Sequence, residues 1–164
     1  MTGLLTPPGE YVFSEDGPAG YDVSWSCTGT AFDPATETAT LGFGDVAVCT
    51  ALNTAIAPSL SLVKEVEGGE AGPALWTLRA DGPSDLEGRG AVDETDVIAG
   101  VYTLSETSSA EAATDYGAGD WVCEGPGFPG AGGVRQTGEG TAELTLPLDA
   151  AVTCTIMNTF GDPV

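Results

Sequence analysis

Lys64 is the only lysine in a chain of 164 residues that carries 25 acidic side chains. It lies in the stretch Leu60–Val66, where period-two counting puts it on the same strand face as Leu60, Leu62 and Val66. The same count puts Glu106 on a face with Tyr102 and Leu104, and Asn158 on a face with Cys154 and Ile156. Three polar side chains turned inward from three strands are expensive separately, and together they satisfy one another. Burial disfavours the cationic form of an amine and pushes a carboxylic acid towards its neutral form. A neutral amine beside a carboxamide, with a protonated carboxyl to polarise the carbonyl and shuttle protons, forms an amide and releases ammonia. The candidate product is an isopeptide bond from Lys64 to Asn158, with Glu106 as the catalytic proton shuttle. The plainer alternative is a buried ion pair between Lys64 and Glu106, with Asn158 as hydrogen-bond partner.

The four cysteines form a second constellation. Cys123 shares a face with Trp121, and Cys154 with Val152 and Ile156; Cys27 and Cys49 are placed alike earlier in the chain. One disulfide per pair is expected, in an oxidising compartment, each closing a loop of roughly 20–30 residues and contributing a few kcal/mol in the chain-entropy model. A zinc site is the rival reading, weakened by the lack of any CxxC pair and of any histidine. No cofactor and no metal is expected: no EF-hand spacing occurs, and the glycine-rich run Gly125–Gly133 lacks the Lys-Ser/Thr of a phosphate loop. Trp25, Trp76 and Trp121 read as core residues rather than a sugar platform, Trp76 being the one whose neighbours allow exposure.

Four Lys+Arg against 25 Asp+Glu give a net charge of −21, which argues against nucleic acid and anionic membrane surfaces as partners. The lack of histidine excludes serine–histidine and cysteine–histidine catalysis within the chain, so an enzyme acting on an external substrate is not expected. The opening residues have neither a charged lead nor an apolar run suited to a signal peptide, and no stretch approaches the roughly 20 apolar residues of a membrane span. Targeting elements are then absent, or the chain is a fragment of something longer.

The elements that must position these residues recur. Tyr11-x3-Glu15, Trp25-x-Cys27 and Cys49-x3-Asn53-Thr54 return in the same order as Tyr102-x3-Glu106, Trp121-x-Cys123 and Cys154-x3-Asn158-Thr159. About 40 residues, containing Leu60–Val66, precede the later copy, whereas about nine precede Tyr11. Residues 1–57 therefore read as the C-terminal part of a truncated repeat and 58–164 as a complete one, joined by Ala55-Ile-Ala-Pro58. In the first copy Glu15 and Asn53 occupy the acid and amide positions with no lysine of their own. A half-sandwich leaves an open sheet edge and an uncovered apolar face, so this part is expected to be disordered, poorly packed or paired with a neighbour.

In the complete copy the pattern predicts strands at Leu60–Val66, Leu75–Ala80, Val92–Ile98, Val101–Glu106, Asp120–Cys123, Gly140–Leu146 and Ala150–Phe160. Asp81–Arg89 reads as a polar loop and Thr107–Gly119 as an insertion, either loop or single helical turn. With Gly 24 and Pro 11 marking frequent turns, about seven short strands predict an all-β, immunoglobulin-like sandwich. In many such sandwiches the last strand runs beside the first, which predicts Asn158 near Lys64.

Leu62-Val-Lys64, Tyr102-Thr-Leu-Ser-Glu106, Glu15-Asp-Gly-Pro-Ala-Gly-Tyr21 and Cys154-Thr-Ile-Met-Asn158-Thr159 together resemble the prealbumin-like repeats of Gram-positive surface proteins, the SpaA-like pilin and collagen-adhesin B-type modules. The cysteines bring the chain nearest to repeats of actinobacterial secreted proteins. The resemblance implies a prealbumin-like β-sandwich, secretion to the cell surface or cell wall, and a cross-link that maps onto Lys64, Glu106 and Asn158. The function it implies is a structural stalk or spacer whose partners are neighbouring repeats of the same polypeptide. The alternative is an adhesin module that recognises a host protein or glycan.

Overall fold

A computed structural model describes residues 6–161. The chain divides into two compact units, Met1–Ala55 and Ile56–Val164.

Among its described residues the first unit holds five strands: β1 (Gly9–Val12), β2 (Tyr21–Thr28), β3 (Ala31–Asp33), β4 (Thr38–Leu41) and β5 (Val48–Ala55). They form a three-stranded sheet ordered β1-β4-β3 and an antiparallel β2-β5 pair. Ala39 is the one fully buried hydrophobic residue among the described residues of this unit, while Phe43, Val46, Val12 and Leu52 are largely exposed. Phe13 packs its ring against Trp25 and Phe32 at centroid distances of 5.0 and 6.4 Å. The expectation of loose packing matches this sparse interior, although the strands themselves form.

The second unit adds β6 (Ser59–Glu67), β7 (Thr77–Asp81), β8 (Leu86–Arg89), β9 (Ala91–Asp96), β10 (Gly100–Thr107), β11 (Tyr116–Glu124), β12 (Val134–Gly138), β13 (Thr141–Leu146) and β14 (Ala151–Phe160). A five-stranded sheet ordered β12-β13-β10-β7-β8 faces a four-stranded sheet ordered β11-β14-β6-β9. Each strand turns alternate residues inward. Leu60, Leu62, Trp121, Cys154 and Ile156 from one sheet meet Leu78, Tyr102, Leu104, Leu144 and Leu146 from the other in one continuous core. At about 25 cal/mol per Å² of apolar surface, each such large side chain contributes on the order of 1.5–3 kcal/mol. The expected all-β sandwich is observed.

Four local expectations are corrected. Leu86–Arg89, expected within a polar loop, forms β8 against β7, where Arg79 meets Glu87 in an ion pair. Val134–Gly138 forms β12, which the Gly-rich flank concealed; it is an edge strand with little apolar alternation to betray it. β11 begins at Tyr116 rather than Asp120, extended across a register shift between Ala118 and Trp121. Trp76 lies outside β7, at the end of a short 3-10 turn over Pro73–Leu75. Within the 107–119 insertion, a single turn forms over Glu111–Ala113.

Candidate functional site

β6 and β14 run parallel and adjacent, with Lys64 opposite Ile156 and Asn158 opposite Val66. Alternation therefore turns Lys64 and Asn158 to the same inner face, two residues apart along the ladder. Both are buried, at 3% and 1% relative exposure. Glu106 comes from β10 in the facing sheet, where it stands opposite Leu78 of β7.

One carboxyl group joins the three. Lys64 Nζ stands 2.7 Å from Glu106 Oε2, with both side chains almost wholly buried. Asn158 Nδ2 donates a hydrogen bond to Glu106 Oε1 at 2.7 Å. The Lys64 contact is an ion pair without hydrogen-bond alignment, and Asn158 Oδ1 has no hydrogen-bond partner. Desolvation lowers the Lys64 pKa from its ordinary value, partly opposed by the attraction of the adjacent Glu106 carboxylate. The amide nitrogen of Asn158, rather than its carbonyl, faces Glu106; a half-turn of the amide about its last torsion exchanges the two.

Aromatic side chains from outside the periodic strand pattern cover this site. Trp76 is buried rather than exposed, and Lys64 Nζ lies 5.1 Å from the centroid of its ring. The electron-rich ring face attracts the ammonium and excludes water from it. Tyr116 packs edge-on against Trp76 at 5.5 Å, and Phe160 against Tyr116 at 5.2 Å. The Tyr116 hydroxyl accepts from Ala71 N at 3.0 Å and donates to Gly68 O at 3.2 Å, fixing the ring. Gly140 completes the wall: a β-carbon there would stand 3.3 Å from Glu106 Cγ and from Ala118 Cβ. A Pro-Ala-Leu-Trp sequence and a lone tyrosine in a polar insertion carry no periodic signal that would have exposed these roles. A cavity of about 250 Å³ opens beside Glu106 and Asn158, between Trp76 and Tyr116.

The cysteines pair as Cys27–Cys49 and Cys123–Cys154, each joining directly opposed residues of adjacent antiparallel strands. All four are thereby consumed, which leaves no thiolate for zinc. In the first unit Asn53 Nδ2 donates to Glu15 Oε1 at 2.7 Å, the same bond as in the second. Here both residues are exposed.

A model of the prealbumin-like fold domain matches residues 1–51 and 56–156. No curated protein matches the chain. Among solved structures, the chain is similar to a bacterial adhesin from Mobiluncus mulieris containing intramolecular disulfide, isopeptide and ester bond cross-links. The identity is 19% over 67% of this chain and 44% of that one, with a TM-score of 0.44. It is also similar to the major pilin from Streptococcus pyogenes, at 12% identity over 96% of this chain and 66% of that one, with a TM-score of 0.43. The chain thus spans less than half the length of the adhesin. With the domain model matched over most of its length and two facing sheets in its second unit, the chain belongs to the prealbumin-like fold domain family.

Proposed function

We propose that the chain is a structural stalk or spacer of a secreted or cell-wall-anchored surface protein of the pilin or adhesin type. It consists of a truncated repeat, 1–57, followed by a complete one, 58–164. Each is closed by a disulfide, and the second is locked by an autocatalytic isopeptide bond between Lys64 and Asn158. Its partners are the neighbouring repeats of its own polypeptide, and it turns over no external substrate.

The observation that carries the cross-link is the single Glu106 carboxyl touching both the amine and the amide nitrogen at 2.7 Å. Glu106 Oε2 takes a proton from Lys64 Nζ, and the freed amine attacks Asn158 Cγ. The Nζ–Cγ bond forms and the Cγ–Nδ2 bond breaks; Glu106 passes the first proton to Nδ2 and takes the second from Nζ, so that ammonia leaves and the carboxyl ends protonated. Burial makes the amine easier to deprotonate. Trp76 keeps water away from it, and the cavity beside Glu106 and Asn158 gives ammonia a way out. A bond between β6 and β14, which run parallel over Ala151–Thr159, resists pulling along the module because the load falls on covalent bonds.

Intact-mass spectrometry of the purified chain tests this. Each disulfide removes about 2 Da and the isopeptide about 17 Da, one ammonia, from the sequence mass. Glu106→Gln is expected to keep the disulfides and abolish the 17 Da loss. A wild-type mass that lacks only the four hydrogens of the disulfides overturns the cross-link.

A further inference from the structure

Gln136 is the only glutamine of the chain. It stands on β12, the edge strand of the five-stranded sheet, and reaches β11, the edge strand of the four-stranded one. Its side-chain amide pairs with Trp121 as the backbone of a neighbouring strand would. Trp121 N donates to Gln136 Oε1 at 3.2 Å, and Gln136 Nε2 donates to Trp121 O at 2.7 Å. The clamp falls where the β11–β14 ladder shifts register, between Ala118 and Trp121, a place where backbone groups lose their regular partners.

Both ends of that shift reach the reacting groups. At one end the buried Trp121 indole N–H donates to Gly140 O at 3.0 Å. Gly140 in turn packs so closely on Glu106 that a β-carbon there would stand 3.3 Å from Glu106 Cγ. At the other end Ala118 lies opposite Asn158 on β14. Gln136 therefore holds the piece of β11 that sets both the acid and the amide.

The first unit supplies a contrast. The corner before β4 matches the one before β13: Glu37 has a φ of 52° and Gly140 a φ of 61°, each shortly before a buried alanine, Ala39 or Ala142. There the corner carbonyl, Glu37 O, accepts from Phe13 N. The indole nitrogen of Trp25, the counterpart of Trp121, is buried with no hydrogen-bond partner among the described residues. Residues 1–55 contain neither glutamine nor lysine. The clamp and the indole-to-corner link thus occur in the copy that has an amine to join.

We propose that Gln136 is a positioning residue for the Lys64–Asn158 cross-link, acting through Trp121 and the Gly140 corner on the Glu106 carboxyl. The proposal rests on the cross-link reading of that site. Glu106 must face Nζ and Nδ2 at once to move protons between them, so a small displacement of its carboxyl slows the reaction. Gln136 is itself exposed, so its substitution leaves the core packed.

Freshly expressed full-length chain, sampled over time by intact-mass spectrometry, provides the test. The rate is that of the ammonia loss, about 17 Da, in molecules that have already shed the hydrogens of both disulfides. Hydrogen exchange on the same samples gives the folded fraction, to which each rate is normalised. Gln136→Met keeps the side-chain length, removes both hydrogen bonds, and should slow the loss about tenfold. Trp121→Phe should slow it as well, and the double variant should be no slower than Trp121→Phe alone, because the two act along one line. Gln136→Glu adds a pH signature: its carboxylate repels Trp121 O, whereas its protonated form donates to it. The Gln136→Glu rate should therefore rise relative to Gln136→Met as pH falls through about 4.3. A wild-type rate in Gln136→Met, additive slowing in the double variant, a slowing no larger than the loss of folded chain, or no recovery of Gln136→Glu at low pH overturns the proposal. A wild-type chain that never loses ammonia overturns the cross-link itself, and this role with it.

Discussion

Lys64 is held between two opposed demands. Burial favours the neutral amine, while Glu106 at 2.7 Å and the ring of Trp76 favour the ammonium; the net direction is a lowered pKa. A pH dependence with a definite sign follows for a chain that cannot cross-link, such as Asn158→Ala. At pH values between the lowered folded pKa and the unfolded value of 10.5, the unfolded state binds more protons than the folded one. Stability therefore rises with pH through that window, as the burial penalty on the ammonium is relieved. Thermal melts of Asn158→Ala, referenced to Asn158→Ala/Lys64→Met to cancel tyrosine titration, should show the lysine form gaining on the reference as pH climbs towards 10.5. A gap that widens in the opposite direction would show that the ion pair outweighs desolvation. Lys64, Glu106 and Asn158 were all legible from period-two counting, because each interrupts an apolar face with a polar group. Their aromatic cover was not, because Trp76 and Tyr116 reach the site from turns and an insertion, whose contacts have no sequence period.

At the scale of elements, the long inner strands were readable and the edges were not. β6, β10, β13 and β14 alternate strongly because one face of each is packed in the core. β8 and β12 lie at the two ends of the five-stranded sheet, where half-solvated positions tolerate Glu, Gly, Arg and Gln and erase the alternation. The corner ahead of β13 shows how an element's end serves the site. Glu37 holds a positive φ at the matching corner of the first unit, so backbone conformation alone does not demand glycine at position 140. What demands it is the 3.3 Å approach to Glu106 Cγ. Gly140→Ala is thus expected to cost about 1 kcal/mol from its left-handed conformation and to displace the Glu106 carboxyl as well. The readouts are a lower melting temperature and an increased share of molecules lacking the ammonia loss by intact mass. A variant that melts lower yet cross-links completely would confine Gly140 to a backbone role.

At the scale of the whole molecule, the two units rest on unequal foundations. The second buries a continuous core between two sheets, whereas the first buries Ala39 and a small aromatic cluster around Phe13. With so little apolar area removed from water, the first unit depends on Cys27–Cys49. That bond spans 22 positions and, in the chain-entropy model, contributes about 3 kcal/mol. In a unit of 55 residues, a loss of that size lowers the melting temperature by more than about 10 °C. The second unit has its core beneath Cys123–Cys154, so the same reduction removes a smaller share of its stability. Calorimetry is therefore expected to resolve two transitions. Dithiothreitol should move the lower one down steeply, or erase it, while the upper one, in a unit about twice the size, shifts by about half as much. Cys27→Ser/Cys49→Ser should reproduce the reduced lower transition without reductant, and proteolysis of that variant should remove residues before Ala55 first. One transition, moved equally by either disulfide, would instead mean that the units unfold together and that the first borrows its stability from the second.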